Sequence, residues 1–285
     1  MTARRRPGLA ACIAAFLIPL TLGLAKAEPD APPSPTNVNI DLSESFHTRS
    51  PWRFVATRDP PVWEPLYPAL TGIPKEFTGS WITGVVHLCL KVGPDASCLP
   101  DLVAMPQPPA PYSELEPHYL SRVDVVYPRG QAAPPLLLLR TASLPSGDGN
   151  QAVYTQLLAY NRTRDMFGQA YAHATGHNRN EEIRFIDSGP LQGSVISVEP
   201  TDDSPFAYWV TVNMLTPTLV YKPVLHYRSA TRYNDGNRLP VSDSEMPNIQ
   251  HRLGIWRSGS PLPVPTSPAY PCDRPRLSQM ELWCQ

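Results

Sequence analysis

The chain is predicted to be an all-β protein of mostly antiparallel sheets, on three observations. Alternating apolar and polar runs recur along it, prolines are dense, and turn dipeptides separate the runs. Alternation with period two buries one face of a strand and leaves the other to solvent. The 36 prolines in 285 residues exceed twice the ordinary share of about 5%. Each removes a backbone donor and breaks helices, so the excess favours loops, turns and sheet edges.

The central strand signal is Phe206-Ala-Tyr-Trp-Val-Thr-Val-Asn-Met214. Phe206, Tyr208, Val210, Val212 and Met214 share one face, and Ala207, Trp209, Thr211 and Asn213 the other. After a Thr-Pro-Thr turn, Val220-Tyr-Lys-Pro-Val-Leu-His-Tyr227 begins another strand. An earlier stretch, Val153-Tyr-Thr-Gln-Leu-Leu-Ala-Tyr160, agrees with it at five of eight positions by identity or similarity. Strands at 123–127 and 195–199, each closed by a proline, extend the match to units near 123–175 and 195–233. This reads as an internal duplication, which chance likeness between β-rich stretches would equally produce. Sandwich and propeller-like packing both fit, with about nine to eleven strands.

In chain order, residues 1–27 carry a basic Arg4-Arg5-Arg6, an apolar stretch over 9–24 and an Ala25-Lys-Ala27 cleavage signal, the pattern of an export signal peptide. A twin-arginine signal is the alternative to an ordinary secretory one. Residues 28–75 are rich in proline and aromatics with little periodicity, and read as an extended arm whose aromatics dock on a β domain spanning 76–257. Prolines over 105–117 suit a surface linker, and 258–285 form a Pro-rich tail with a turn or two of helix near 277–282. No later apolar run reaches the roughly 18 residues that a membrane helix needs.

Removal of the signal leaves Cys89, Cys98, Cys272 and Cys284. An even number in an exported chain reads as two disulfides. Local pairing, Cys89 with Cys98 and Cys272 with Cys284, closes the shorter loops and is the expected connectivity. Cross pairing would instead tie the tail to the first domain strand. Neither pair has the short spacing of a structural zinc site.

A net charge of −1 and no Lys/Arg run beyond the N-terminus argue against nucleic acid. Nucleotide, metalloprotease and serine-hydrolase motifs are absent, and no cofactor or metal is expected. The most site-like stretch is His173-Ala-Thr-Gly-His177-Asn-Arg-Asn-Glu181-Glu182, whose imidazoles and carboxylates could serve as acid and base or as ligands, or simply form a polar hairpin loop. Two Asp-Gly-Asn triplets, 148–150 and 235–237, suit tight turns or the gathering of sugar hydroxyls or calcium. Asp243-Ser-Glu245 reads as solvated surface, or as the carboxylate pair of a glycosidase. Alternation of connections between antiparallel strands places Asp148, Asn150, His173, His177 and Asn178 on one rim as the binding residues, with Asp235 and Asn237 at the opposite end.

The leading functional expectation is an exported, non-catalytic binding or scaffold protein, periplasmic or secreted, for a glycan or cell-envelope component. The alternative is a secreted glycan hydrolase using Asp243, Glu245 or the Glu181/Glu182 pair. Mass spectrometry of the exported protein is expected to find Glu28 at its N-terminus, and retention of residues 1–27 would overturn the export reading.

Overall fold

The computed structural model describes residues 37–65, 79–98, 102, 116–130, 133–147, 149–203, 206–263, 272 and 274–284. The expected signal segment, the lead-in at 28–36, most of the Pro-rich stretches 105–117 and 258–271, and Asp148 lie outside the described residues.

The protein is all-β with antiparallel sheets. Strand β1 (Val38–Asp41), a single helical turn α1 (Ser43–Phe46) and strand β2 (Trp52–Arg58) come first. A two-stranded hairpin of β3 (Val62–Pro65) and β4 (Gly79–Ile82) follows, and then β5 (Val86–Val92) returns beside β2 to give a first sheet ordered β1-β2-β5. Residues 38–41 and 52–58, within the expected extended arm at 28–75, are therefore sheet strands. Pro51 and Pro60 flank β2 rather than interrupt it, and its alternation puts Trp52, Phe54 and Ala56 inside.

The second sheet is a four-stranded meander of β6 (Tyr119–Val126), β7 (Leu136–Ala142), β8 (Val153–Asn161) and β9 (Met166–Thr175). The third is a meander of β10 (Glu182–Phe185), β11 (Val195–Pro200), β12 (Tyr208–Leu215) and β13 (Tyr221–Arg228). Helices α2 (Val241–Ser244) and α3 (Met246–Arg252) lie beyond it, and the hairpin β14 (Arg276–Ser278)–β15 (Glu281–Trp283) closes against them.

The three sheets stack face to face in chain order. Leu137 and Leu139 project from β7 into a core with Trp52, Phe54, Leu88 and Leu90 of the first sheet. Their neighbours Leu136 and Leu138 project the other way, onto Ile183, Phe185, Val195 and Tyr221 of the third. All four leucines are fully buried. A strand covered on both faces has no polar side, which is why this run is continuously apolar instead of alternating. The outer face of the third sheet, with Ile196, Val198, Val210, Val212 and Tyr227, packs on Val241, Met246 and Ile249 of the helices.

The proposed repeat units are out of step with the sheets. Val153 opens the third strand of its meander, whereas Val220 precedes the fourth strand of the next. Likewise 123–127 falls on a first strand and 195–199 on a second. The cause is β10: at four residues it reads in sequence as the stem of a loop, so the third sheet is counted one strand short. Fifteen strands are present among the described residues, the excess over expectation being pieces of three or four residues.

The helix expected near 277–282 is instead the β14–β15 hairpin, whose turn residues Gln279 and Met280 both have positive φ, 49° and 73°. Helix forms at 241–252, where Pro240 leads in and Pro247 occupies the first turn of α3, a place that needs no backbone donor. Both local disulfides are formed, Cys89–Cys98 with Cα atoms 5.0 Å apart and Cys272–Cys284 with 5.8 Å.

Gly193 joins the second and third sheets. Its φ is +78°, and a Cβ there would stand 2.0 Å from the carbonyl oxygen of Pro128. Gly189 has a similar φ of +79° but open space around it. Urea denaturation is expected to show Gly189→Ala costing about 1 kcal/mol, the φ penalty alone, and Gly193→Ala costing several times that. Equal costs would mean that the close approach is not a constraint.

Candidate functional site

One end of the second and third sheets gathers most of the polar chemistry. The β7–β8 loop, the β9–β10 loop and the segment leaving β13 all meet there. Asn150 ties the first two: its Oδ1 accepts the N–H groups of Gln151, His177 and Asn178 at 3.0, 3.0 and 3.3 Å. The third segment docks through Tyr233, whose hydroxyl donates to the carbonyl oxygen of Asn178 at 3.5 Å. Asn180 donates to the Tyr208 hydroxyl at 3.4 Å, and the Arg179 guanidinium lies 4.8 Å from the centre of the Phe206 ring.

Asn150, His177 and Asn178 are thus brought together, and Asp148 lies outside the described residues. The expectation for Asp235 and Asn237 is overturned, because they belong to the segment docked at this same end. Counting β10 as the first strand of its sheet makes β13 the fourth, and that single step reverses the end at which the chain leaves. The second triplet is structural. Asn237 donates to Ser244 Oγ and to the Leu282 carbonyl at 3.0 and 2.7 Å, and accepts from the N–H of Cys284 at 3.2 Å. It pins the C-terminal hairpin to the helices.

His173 reaches into the seam between the sheets. Arg122, Arg140, Thr155 and His173 are successive cross-strand neighbours on β6, β7, β8 and β9. His173 Nε2 meets the Glu199 carboxylate of β11. That hydrogen bond outweighs burial and holds Glu199 below the usual glutamate value. Trp209 lies opposite Glu199 on β12, 41% exposed, with its ring stacked on His226 at 5.1 Å and 12°. His226 Nδ1 is 2.9 Å from Thr211 Oγ1. Of the aromatics late in the chain, Tyr208, Tyr221, Tyr227 and Trp256 are buried and Phe206 and Tyr233 half-buried, whereas Trp209 is exposed.

Beside this patch a cleft of about 390 Å³ runs between the sheets, lined by Arg122, Arg140, His177, Glu181 and Arg184 among others. Glu181 folds its carboxyl over Gly176, where a Cβ would come within 2.0 Å of Oε2. That oxygen is buried without a hydrogen-bond partner, and burial first, with Glu199 also contributing, raises the Glu181 pKa. At the other end of the sheets a groove of about 1070 Å³ runs past Phe46, Tyr160, Met166, Phe167 and Leu219. Its wall is fastened by Asp165, which accepts from Ser50, from Tyr160 at 2.6 Å and from Trp52 at 3.0 Å, bonds that pull its pKa to about 2.

Asp243 and Glu245, expected at a solvated surface, have no exposed area. Asp243 pairs with Arg184 at 2.7 Å, and Arg184 also holds Glu182 at 2.8 Å. Burial lowers the Arg184 pKa, but the two carboxylates outweigh it and leave it raised. Glu245 accepts from Tyr227, Thr231 and Asn248 at 2.7, 2.6 and 2.8 Å. A buried carboxylate is tolerated when its charge or its lone pairs are met; Asp243 has the Arg184 charge, and Glu245 has three neutral donors. The two residues are placed to hold α2 against the third sheet.

Arg140 and Glu199 are site residues that sequence reasoning did not select, whereas Trp209 stands out from its aromatic neighbours only by its exposure. Arg140 was legible by parity, since it continues the face of Leu136 and Leu138. Glu199 carried no signal beyond its strand position.

Comparison with protein-family models, curated proteins and solved structures returns no match to this chain. Among the described residues no helix is long and apolar enough to cross a membrane, and no three His, Cys, Asp or Glu side chains gather as a metal ion would require.

Glu281, on β15, is buried beside this acidic cluster, and desolvation first, then the Glu245 charge, raises its pKa to about 7. A proton held more tightly in the folded than in the unfolded chain stabilises the fold at low pH. That contribution is full below the unfolded value of 4.5 and is lost as pH climbs through about 7. Thermal melting is expected to fall across that window in the wild type and to stay flatter in Glu281→Gln. A wild-type melting temperature that rises over the same window would show that Glu281 is not protonated in the fold.

Proposed function

We propose that this chain is an exported, non-catalytic binding protein that recognises a glycan or another cell-envelope component through the patch around Trp209. The observation that carries the reading is the exposed Trp209 ring on a sheet face, with Glu199, His173 and Thr211 beside it. An indole offers an apolar face to the C–H side of a sugar ring, while flanking carboxylate, imidazole and hydroxyl groups can meet its hydroxyls. Location outside the cytoplasm agrees with the two disulfides, which persist in oxidising compartments.

The hydrolase alternative loses support at three of its four named residues. A glycosidase needs two carboxyls facing substrate across several ångströms. Asp243 and Glu245 are enclosed, and Glu182 is held by Arg184 and by the N–H of Ser242 at 2.8 Å.

Sedimentation with purified envelope polysaccharide tests the reading. Trp209→Ala is expected to weaken retention by about tenfold, the loss of a stacked aromatic contact. Trp81→Ala, a similarly exposed tryptophan on β4, should leave it unchanged. Undiminished retention of Trp209→Ala would sink the proposed surface, and release of new reducing ends from the polysaccharide would favour the hydrolase.

A further inference from the structure

We propose that the cleft between the second and third sheets is a subsite for an acidic sugar, with Arg140 binding its carboxylate and Glu181 accepting from its hydroxyls. The inference rests on the glycan reading above and names the class of glycan.

Three arginines, Arg122, Arg140 and Arg184, line the cleft. Arg122 is matched by Asp124 at 2.5 Å and Asp187 at 3.8 Å, and Arg184 by Glu182 and Asp243. Arg140 differs from both. Its Nε donates to Thr155 Oγ1 at 3.2 Å and its Nη2 to the carbonyl oxygen of Ile183, both neutral acceptors. Among the described residues no carboxylate lies within ion-pairing distance of it. Burial, and then the neighbouring Arg122 charge, disfavour its charged form, against the smaller opposing effect of Glu182. An anion entering the cleft would relieve both effects, and a charge-assisted bond to a partly buried guanidinium is among the stronger polar contacts available.

The second unmet group is Glu181. Its Oε2 is buried over Gly176 without a donor, so a ligand hydroxyl would meet it once the carboxyl turns about its Cγ–Cδ bond towards the cleft that Glu181 lines. The cleft therefore presents a guanidinium with no carboxylate of the described residues at ion-pairing distance and a carboxyl without a donor, in a volume within the usual range for small-ligand pockets. A sugar acid carries the complement of both, one carboxylate and several hydroxyls on one ring.

Position links this cleft to the aromatic patch. Arg140 and His173 flank Thr155 on one cross-strand row, and His173 reaches the Glu199 that stands opposite Trp209. The Glu199 charge also acts on Glu181. A saccharide with one ring on Trp209 can thus lead its next residues towards Arg140.

Isothermal titration with trigalacturonate and trigalactose, which differ at C6 as carboxylate against hydroxymethyl, tests the subsite. The wild type is expected to prefer trigalacturonate by about tenfold or more. Arg140→Gln should abolish that preference while keeping the affinity for trigalactose, and Trp209→Ala should weaken both trimers. Equal binding of the two trimers by the wild type, with both still weakened in Trp209→Ala, would overturn the acidic subsite and leave the glycan reading standing. A preference that survives in Arg140→Gln would likewise overturn it. The wild-type comparison requires no variant, so absence of the preference overturns the subsite even where Arg140→Gln fails to fold.

Discussion

Everything in this molecule depends on β7 being covered on both faces. Leu137 and Leu139 hold the first sheet, and Leu136 and Leu138 hold the third. Each fully buried leucine contributes about 1.5–3 kcal/mol by transfer from water, before the cost of ordering the chain. Four in succession make one strand the shared wall of two cores. A change there is felt in two interfaces at once, because close-packed cores tolerate neither voids nor added volume. The strand end then sets the site. The parity that buries Leu136 and Leu138 carries Arg140 into the seam between the sheets, where the apolar contacts give way to polar ones.

The polar end shows a division of labour between side chains that build and side chains that are free to act. Asn150 spends one carbonyl oxygen on three backbone N–H groups, and Asn237 spends both ends of its amide on the tail. Asp243 and Glu245 are likewise enclosed by their partners. The surroundings of Trp209, Arg140 and Glu181 leave something unmet, and the functional reading rests on these three.

Much of the fold was legible because it follows from periodicity. The alternation of 206–214 and the apolar run at 136–139 mark strands by their own composition, and the local disulfides follow from loop length. Short elements were not legible. β10 has four residues, too few for a period to declare itself, yet it shifts the strand count and so the end at which Asp235 lies. The burial of Asp243 and Glu245 was equally hidden. Charged residues read as solvated unless their partners are known, and Arg184, Tyr227 and Thr231 are distant in sequence. Of the expected binding residues, His177 and Asn178 do join Asn150, but mainly through backbone groups, which residue type does not encode.

The sheets stack in the same order in which the chain runs, each core shared between one layer and the next. The architecture is close to one-dimensional, as in repeat proteins whose units touch only their neighbours. A polypeptide emerging from its N-terminal side therefore meets a finished surface to build on at every stage. It also shows one uncovered apolar face at every stage, first that of β7 and β8, later the outer face of the third sheet. That moving face would attract chaperones, or a second unfinished copy, until α2 and α3 arrive to cover it.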